Sequence, residues 1–243
     1  MSKSIKSDGG IVRYKPDHDR IVEIAWKETH PATVIDAVPW RKFPWFIGQK
    51  NYSGLYWSAT EGKLVGYESR LELARLTMLD FDPVVKRIAS QPFHLRVAVD
   101  GKRLRRTIDY LALTDDGPLA IDVKRRDELD KPEVKELLEH TRAVIEARGW
   151  RYEIACEPDE VVYANIKFLA GYRRDWLFDE GALAEVRESA AREPNQSITE
   201  VLSGTRVSKP IAKAALLHLL WTHQLRADLS ARLSMNTTVE VRS

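Results

Sequence analysis

The sequence predicts a mixed α/β domain followed by a smaller, mainly helical domain. Three observations support this. Between residues 67 and 155 a helical pattern, three strand-like runs, a second helical pattern and a fourth strand-like run follow in that order. The runs "FHLRVAV", "LRRTIDYLAL" and "PLAIDVKR" are separated by the turn sequences "DGK" and "TDDG". From Glu180 onward the pattern changes to short capped helices and a two-stranded ribbon.

Each element follows from local chemistry. Residues 1–60 interleave aromatic and turn residues, as in "VPWRKFPWFIGQKNYSG". This predicts an extension packed on the core, irregular except for one short strand near Leu55–Ser58. The core, residues 61–160, opens with a helix over 67–81. Leu71, Ala74 and Met78 form one stripe and Leu76 and Leu79 another. Asp82-Pro83 ends that helix. Glu72 points between Leu76 and Leu79, and its plainest reading is a boundary glutamate reaching to water. A second helix runs from Pro132 or Glu133 to about Arg148, with Gly149 as its stop. The helical crossover makes the following strand, "RYEIAC", parallel to the third. "DEVVYANIKFLAGYR" then reads as a helix. Within residues 161–243, Ser197 and Glu200 form a capping box and Gly204 stops the helix they start. Ser208 caps the apolar helix "KPIAKAALLHLLW", and "LRADLSARLSMNTTVEVR" supplies two short strands. Helix, helix, ribbon is the pattern of a winged helix-turn-helix. His218 and His223 lie five apart, a spacing that suits packing rather than ligation from one helix face.

Composition narrows the function classes. The chain has 243 residues, 44% of them hydrophobic and 30% charged, which is a globular balance. Its longest apolar runs, such as "AALLHLLW", are too short to span a bilayer, and "MSKSIKSDGG" lacks the apolar segment of a signal peptide. A single cysteine, Cys156, excludes a disulfide framework and a Cys-based zinc site. These features predict a cytoplasmic protein with no membrane association. The net charge of +2 neither demands nor excludes nucleic acid.

The chemistry concentrates in "TIDYLALTDDGPLAIDVKRR". Side chains on a strand alternate, so Asp122 and Lys124 share a face. With a turn at "TDDG", Leu113 lies opposite Pro118, and the same register sets Asp109 opposite Asp122, with β-carbons roughly 5 Å apart. A three-residue turn would break that register. Opposed carboxylates cannot both stay ionised without a positive charge between them, and a divalent cation is the economical candidate. Oxygen ligands suit Mg²⁺ or Mn²⁺. The rival reading, a structural Asp–Lys bridge at a strand end, leaves the matched positions of the two acids unexplained. No H-E-x-x-H motif, P-loop or G-x-S-x-G elbow offers other chemistry.

An acid on an upstream helix, a strand acid and then D-x-K after a short hairpin resemble the PD-(D/E)xK nuclease superfamily. The elements are Glu72, Asp109 and Asp122-Val123-Lys124. Longer stretches, "NYSGLYWSATEGKLVGYESRLELARLTMLDFDPVVKRIASQPF" followed by "TIDYLAL" and "LAIDVKR", resemble the TnsA-type endonuclease subunit of heteromeric transposases over roughly Pro44 to Cys156. The C-terminal helices are similar to that family's winged-helix part, less specifically. The resemblance implies a restriction-endonuclease-like mixed sheet flanked by helices, with a C-terminal winged-helix-like domain. It implies catalytic roles for Glu72, Asp109, Asp122 and Lys124. It also implies Mg²⁺ or Mn²⁺ held by Asp109, Asp122, the Val123 carbonyl and Glu72. Ile108 stands where the superfamily's motif carries proline. Gln91 is a candidate accessory residue. Lys102, Arg103, Arg105 and Arg106 are candidates for gripping DNA, or simply an exposed hairpin end. The implied substrate is double-stranded DNA at transposon ends, cut on the 5′ strands. The implied partners are a DDE-type transposase subunit and an AAA+ ATPase regulator. Two alternatives stand beside this: a stand-alone restriction or repair nuclease of the same superfamily, and a catalytically silent DNA-binding assembly module.

Overall fold

The computed structural model describes residues 7–41, 43, 52–99 and 101–242. Asp100 of the expected "DGK" turn and residues 42 and 44–51 of the N-terminal extension lie outside the described residues. The chain divides into two compact units, residues 1–80 with 84–157, and residues 81–83 with 158–243.

The first unit contains β1 (Ser7–Tyr14), β2 (Val22–Ala25), α1 (Pro31–Val34), β3 (Gly54–Ser58), β4 (Lys63–Tyr67), α2 (Arg70–Phe81), β5 (Val85–Ser90), β6 (His94–Val99), β7 (Lys102–Thr107), β8 (Tyr110–Thr114), β9 (Gly117–Val123), α3 (Pro132–Glu146) and β10 (Arg151–Ala155). It is a mixed α/β architecture, compatible with a restriction-endonuclease-like fold. One sheet has the order β10-β9-β8-β5, a second the order β2-β1-β6-β7, and β3 pairs with β4 as a separate hairpin. β10 runs parallel to β9 across the α3 crossover, as the sequence predicts.

Three expectations are corrected. The N-terminal segment is not irregular, because β1 and β2 build half of the second sheet. The run "LRRTIDYLAL" is not one strand. It bends at Ile108–Asp109, so β7 pairs with β6 in one sheet and β8 with β9 in the other. The first strand of the core sheet is therefore β5, "VKRIAS", and not "FHLRVAV". The order helix–strand–strand–strand–helix–strand survives with β5 in that place.

The core sheet is covered on both faces. Tyr110, Ala112, Ile121 and Val123 pack with Leu76 and Leu79 of α2, while Leu111 and Ala120 pack with Leu138, Val144 and Ile145 of α3. Alternation along β8 and β9 produces this division. Ile108, two residues before Tyr110, joins the α3-side cluster instead of the Tyr110 side, because the bend interrupts the alternation. Within α2, Asp80 is buried and accepts bonds from Tyr56 Oη (2.8 Å), Ser58 Oγ (2.6 Å) and the Ala59 (3.0 Å) and Thr60 (2.8 Å) backbone N–H groups. The turn after β3 is thereby fastened to the helix that carries Glu72.

The second unit contains α4 (Glu160–Leu169), α5 (Glu180–Ala190), β11 (Gln196–Ser197), α6 (Ile198–Ser203), α7 (Lys209–Trp221), β12 (Leu225–Arg226) and β13 (Thr238–Val241). The capping box at Ser197 and Glu200 is present. β13 lies between β11 and β12, all antiparallel. His218 is buried, with Nδ1 2.7 Å from the Tyr172 carbonyl and its ring stacked on Phe178, which is a packing role.

Candidate active site

The β8–β9 hairpin fixes the site. Its turn leaves Asp115 and Asp116 as the loop, with Thr114 opposite Gly117 and Leu113 opposite Pro118. Gly117 has a φ of +98°, a region that glycine adopts without a Cβ penalty. The ladder continues to Tyr110 opposite Ile121, so the next positions outward are Asp109 and Asp122. Asp109 lies just before β8, at the bend, and its Oδ2 accepts the Val123 N–H at 2.7 Å. That bond replaces a ladder bond and ties the acid to the end of β9.

Asp122 has no solvent exposure. Its Oδ2 is 2.6 Å from a guanidinium nitrogen of Arg106 and accepts the Tyr152 hydroxyl at 2.5 Å. Its Oδ1 is buried without a hydrogen-bond partner. Burial, then the Asp122 charge, raises the Tyr152 phenol, so the hydroxyl stays protonated and donates. Lys124 is half-buried beyond the strand end, and its Nζ donates to the Val123 carbonyl at 3.1 Å. The Lys124 backbone N–H donates to Ala155, which extends the β9–β10 pairing by one residue.

Glu72 occupies the first turn of α2. Its carboxylate accepts the Glu68 N–H at 2.9 Å and the Ser69 hydroxyl at 3.2 Å, while Ser69 Oγ accepts the Glu72 N–H at 3.1 Å. It therefore works as a helix cap and not as the water-reaching residue its position suggested. Burial raises its carboxyl, with Lys124 among the groups that lower it. The Tyr110 hydroxyl donates to the Gly66 carbonyl at 3.2 Å, with the Glu72 carbonyl at 3.5 Å, and so links the α2 start to β8.

Electrostatics make Asp109 the sensitive member. Burial, then the Asp122 charge, pushes its carboxyl up to about 7, against the opposing pull of Lys124 and the Val123 N–H. Among the described residues no three His, Cys, Asp or Glu side chains are grouped to hold a metal ion by themselves. The donors that fit a divalent cation are the two aspartates and the Val123 carbonyl, all hard oxygens, with the unpartnered Asp122 Oδ1 as the clearest sign of a missing positive partner.

The remaining sequence candidates separate. Gln91 is buried with a φ of +45°; its N–H donates to the Asp109 carbonyl at 2.9 Å, and its Oε1 accepts the Arg41 N–H at 3.1 Å. It holds the Asp109 backbone to the N-terminal segment. Lys102 pairs with Glu136, Arg103 and Arg105 are exposed, and Arg106 turns inward to Asp122. Arg106 and Tyr152 are the partners that sequence reasoning did not pair with Asp122. A signal existed for both. Arg106 shares the parity of the apolar Leu104, and Tyr152 has the parity of Ile154, which lies beside Asp122 in the parallel ladder.

Residues 82–157 match the family model described as TnsA-like endonuclease N terminal. The match spans Asp109, Asp122 and Lys124 and leaves Glu72 outside. No curated protein matches the chain. Residues 82–157 are thus similar to the TnsA-like endonuclease N-terminal domain, which supports a nuclease related to transposase subunits.

Proposed function

We propose that this chain is a metal-dependent DNA endonuclease subunit of a heteromeric transposase, cutting the 5′ strands at transposon ends. The observation that carries the reading is the hairpin register, which leaves the half-buried Asp109 and the buried Asp122 as the next positions beyond the Tyr110–Ile121 pair, with Lys124 at the strand end. Asp109, Asp122 through its open Oδ1, and the Val123 carbonyl would hold Mg²⁺ or Mn²⁺. When bound, that ion supplies charge neutralisation at the scissile phosphate and acidifies a water. Lys124 orients the attacking water and moves its proton, and it releases the Val123 carbonyl as it does so. Glu72 acts from the N-terminus of α2, through water, once its capping bonds yield. Hydrolysis leaves 5′-phosphate and 3′-hydroxyl ends.

The partners proposed are a DDE-type transposase subunit, which cuts and joins the 3′ strands, and an AAA+ ATPase regulator that contacts the C-terminal unit. The order α5-β11-α6-α7-β12-β13 supports a winged-helix assignment for that unit. The test is cleavage of a labelled transposon-end duplex with Mg²⁺, with and without the transposase subunit. Wild type should nick the 5′ strand in the complex, and Asp109→Ala and Lys124→Ala should not, while both variants remain folded and assembled. Undiminished 5′ cutting by either variant refutes the site.

A further inference from the structure

β7 alternates cations across its two faces. Lys102, Leu104 and Arg106 share the inner side with Leu95, Val97 and Val99, while Arg103 and Arg105 point outward with His94 and Arg96 of β6. β1 adds Arg13 directly opposite His94 on the same outer face. Arg96 and Arg105 are themselves directly opposed, a like-charge cross-strand pair that costs stability. Among the described residues no carboxylate forms an ion pair with Arg96, Arg103 or Arg105, and Arg96 Nε is buried without a hydrogen-bond partner. Arg13 does have an acid, Glu23, at 2.6 Å. His94 reports the local potential: burial, then the charges of Arg96, Arg13 and Arg105, lowers its imidazole.

We infer that this outer face of the β2-β1-β6-β7 sheet is a phosphate-binding track for duplex DNA, built from Arg96, Arg103 and Arg105. The inference rests on the nuclease reading for the identity of its polyanion. Guanidinium groups meet phosphate oxygens in a two-pronged geometry, and a phosphate between Arg96 and Arg105 would turn their repulsion into shared attraction. The row ends at Thr107, opposite His94 and two residues before Asp109, so the track ends beside the candidate catalytic bend along the chain. Arg13, Lys102 and Arg106 take no part, being committed to Glu23, Glu136 and Asp122.

The test compares wild type with an R96Q/R105Q double variant and with R103Q alone, using full-length metal-free protein and a fluorescent duplex of arbitrary sequence across a KCl series. Each lost phosphate contact lowers the slope of log K against log salt by about 0.9, so the double variant should lose about 2 in slope and R103Q about 1. The double variant should also melt at or above the wild-type temperature, since the opposed charges are gone. Duplex binding with unchanged affinity and slope in both folded variants overturns the inference and gives the face to another anion. Wild type that loses duplex binding in these variants yet never cuts transposon-end DNA would refute the nuclease reading and leave the track standing.

Discussion

Replacing Arg106 by Gln should destabilise the metal-free protein by about 3 kcal/mol, at the lower end of the cost of breaking a buried ion pair. The burial of the partners sets that magnitude. Asp122 is 0% exposed and the Arg106 side chain 13%, so neither water nor salt screens the 2.6 Å contact. A surface pair would contribute roughly 0–1 kcal/mol. In the variant, Asp122 keeps the Tyr152 hydroxyl as its one hydrogen-bonded partner and must stay buried as an uncompensated anion or take up a proton. Asp122→Asn should cost a comparable amount, because it strands the guanidinium instead. The double variant R106Q/D122N should recover most of the loss, giving a coupling energy of about 2 kcal/mol or more in a double-mutant cycle. Urea unfolding followed by a probe in the first unit measures all four proteins. Added Mn²⁺ should stabilise R106Q more than wild type, because the cation then supplies the charge that Arg106 supplied. Additive single effects, or an R106Q protein as stable as wild type, would refute the idea that Arg106 and Asp122 stabilise the fold as a buried pair.

Other consequences are as specific. Asp109 should make the metal-free protein less stable as pH rises: its folded pKa of about 7 exceeds the ordinary 3.8, so the folded state binds more protons between those values. Stability is then lost between about pH 4 and 7 and is flat above. At about 1.4 kcal/mol per unit the effect is a few kcal/mol, and Asp109→Asn should remove it; parallel pH profiles for the two proteins would contradict this. Asp80→Ala strips four bonds from the turn after β3 and should cost about 2–4 kcal/mol in chemical denaturation. Ser197→Ala breaks the α6 capping box and should cost about 1 kcal/mol, seen as a lower melting temperature of the second unit.

The features that local chemistry decides were legible in the sequence. Turn type set the β8–β9 register as far as Tyr110 opposite Ile121, with Asp109 and Asp122 at the next positions outward. Ser197, Glu200 and Gly204 marked α6 because caps act within one helical turn. The bend at Ile108–Asp109 left no such mark. It contains no glycine or proline, and a long-range bond, from the Val123 N–H to the Asp109 side chain, compensates the broken ladder. β1 and β2 escaped notice for a related reason. Their pairing partners are β6, far along the chain, and each other, so a segment crowded with aromatic and turn residues is made regular by tertiary contact.

The four cations of β7 show where a charge count ends and geometry begins. In sequence "KRLRR" is a single basic cluster. Strand parity, anchored by the one leucine, divides it: Lys102 and Arg106 fall on one face and Arg103 and Arg105 on the other, and of the first two only Arg106 turns inward. Arg106 occupies one oxygen of Asp122 while leaving the other open. A finished salt bridge would satisfy both oxygens, and on the proposed reading the open Asp122 Oδ1 is where a cation would bind. The outward pair meets Arg96 instead of an acid, and its repulsion is sustained by the same ladder that buries Leu104. Both departures from good packing lie on one strand, which leads through Ile108 into Asp109. On the proposed reading, a divalent cation beside Asp122 and a phosphate backbone between Arg96 and Arg105 would each recover stability given up on either side of β7.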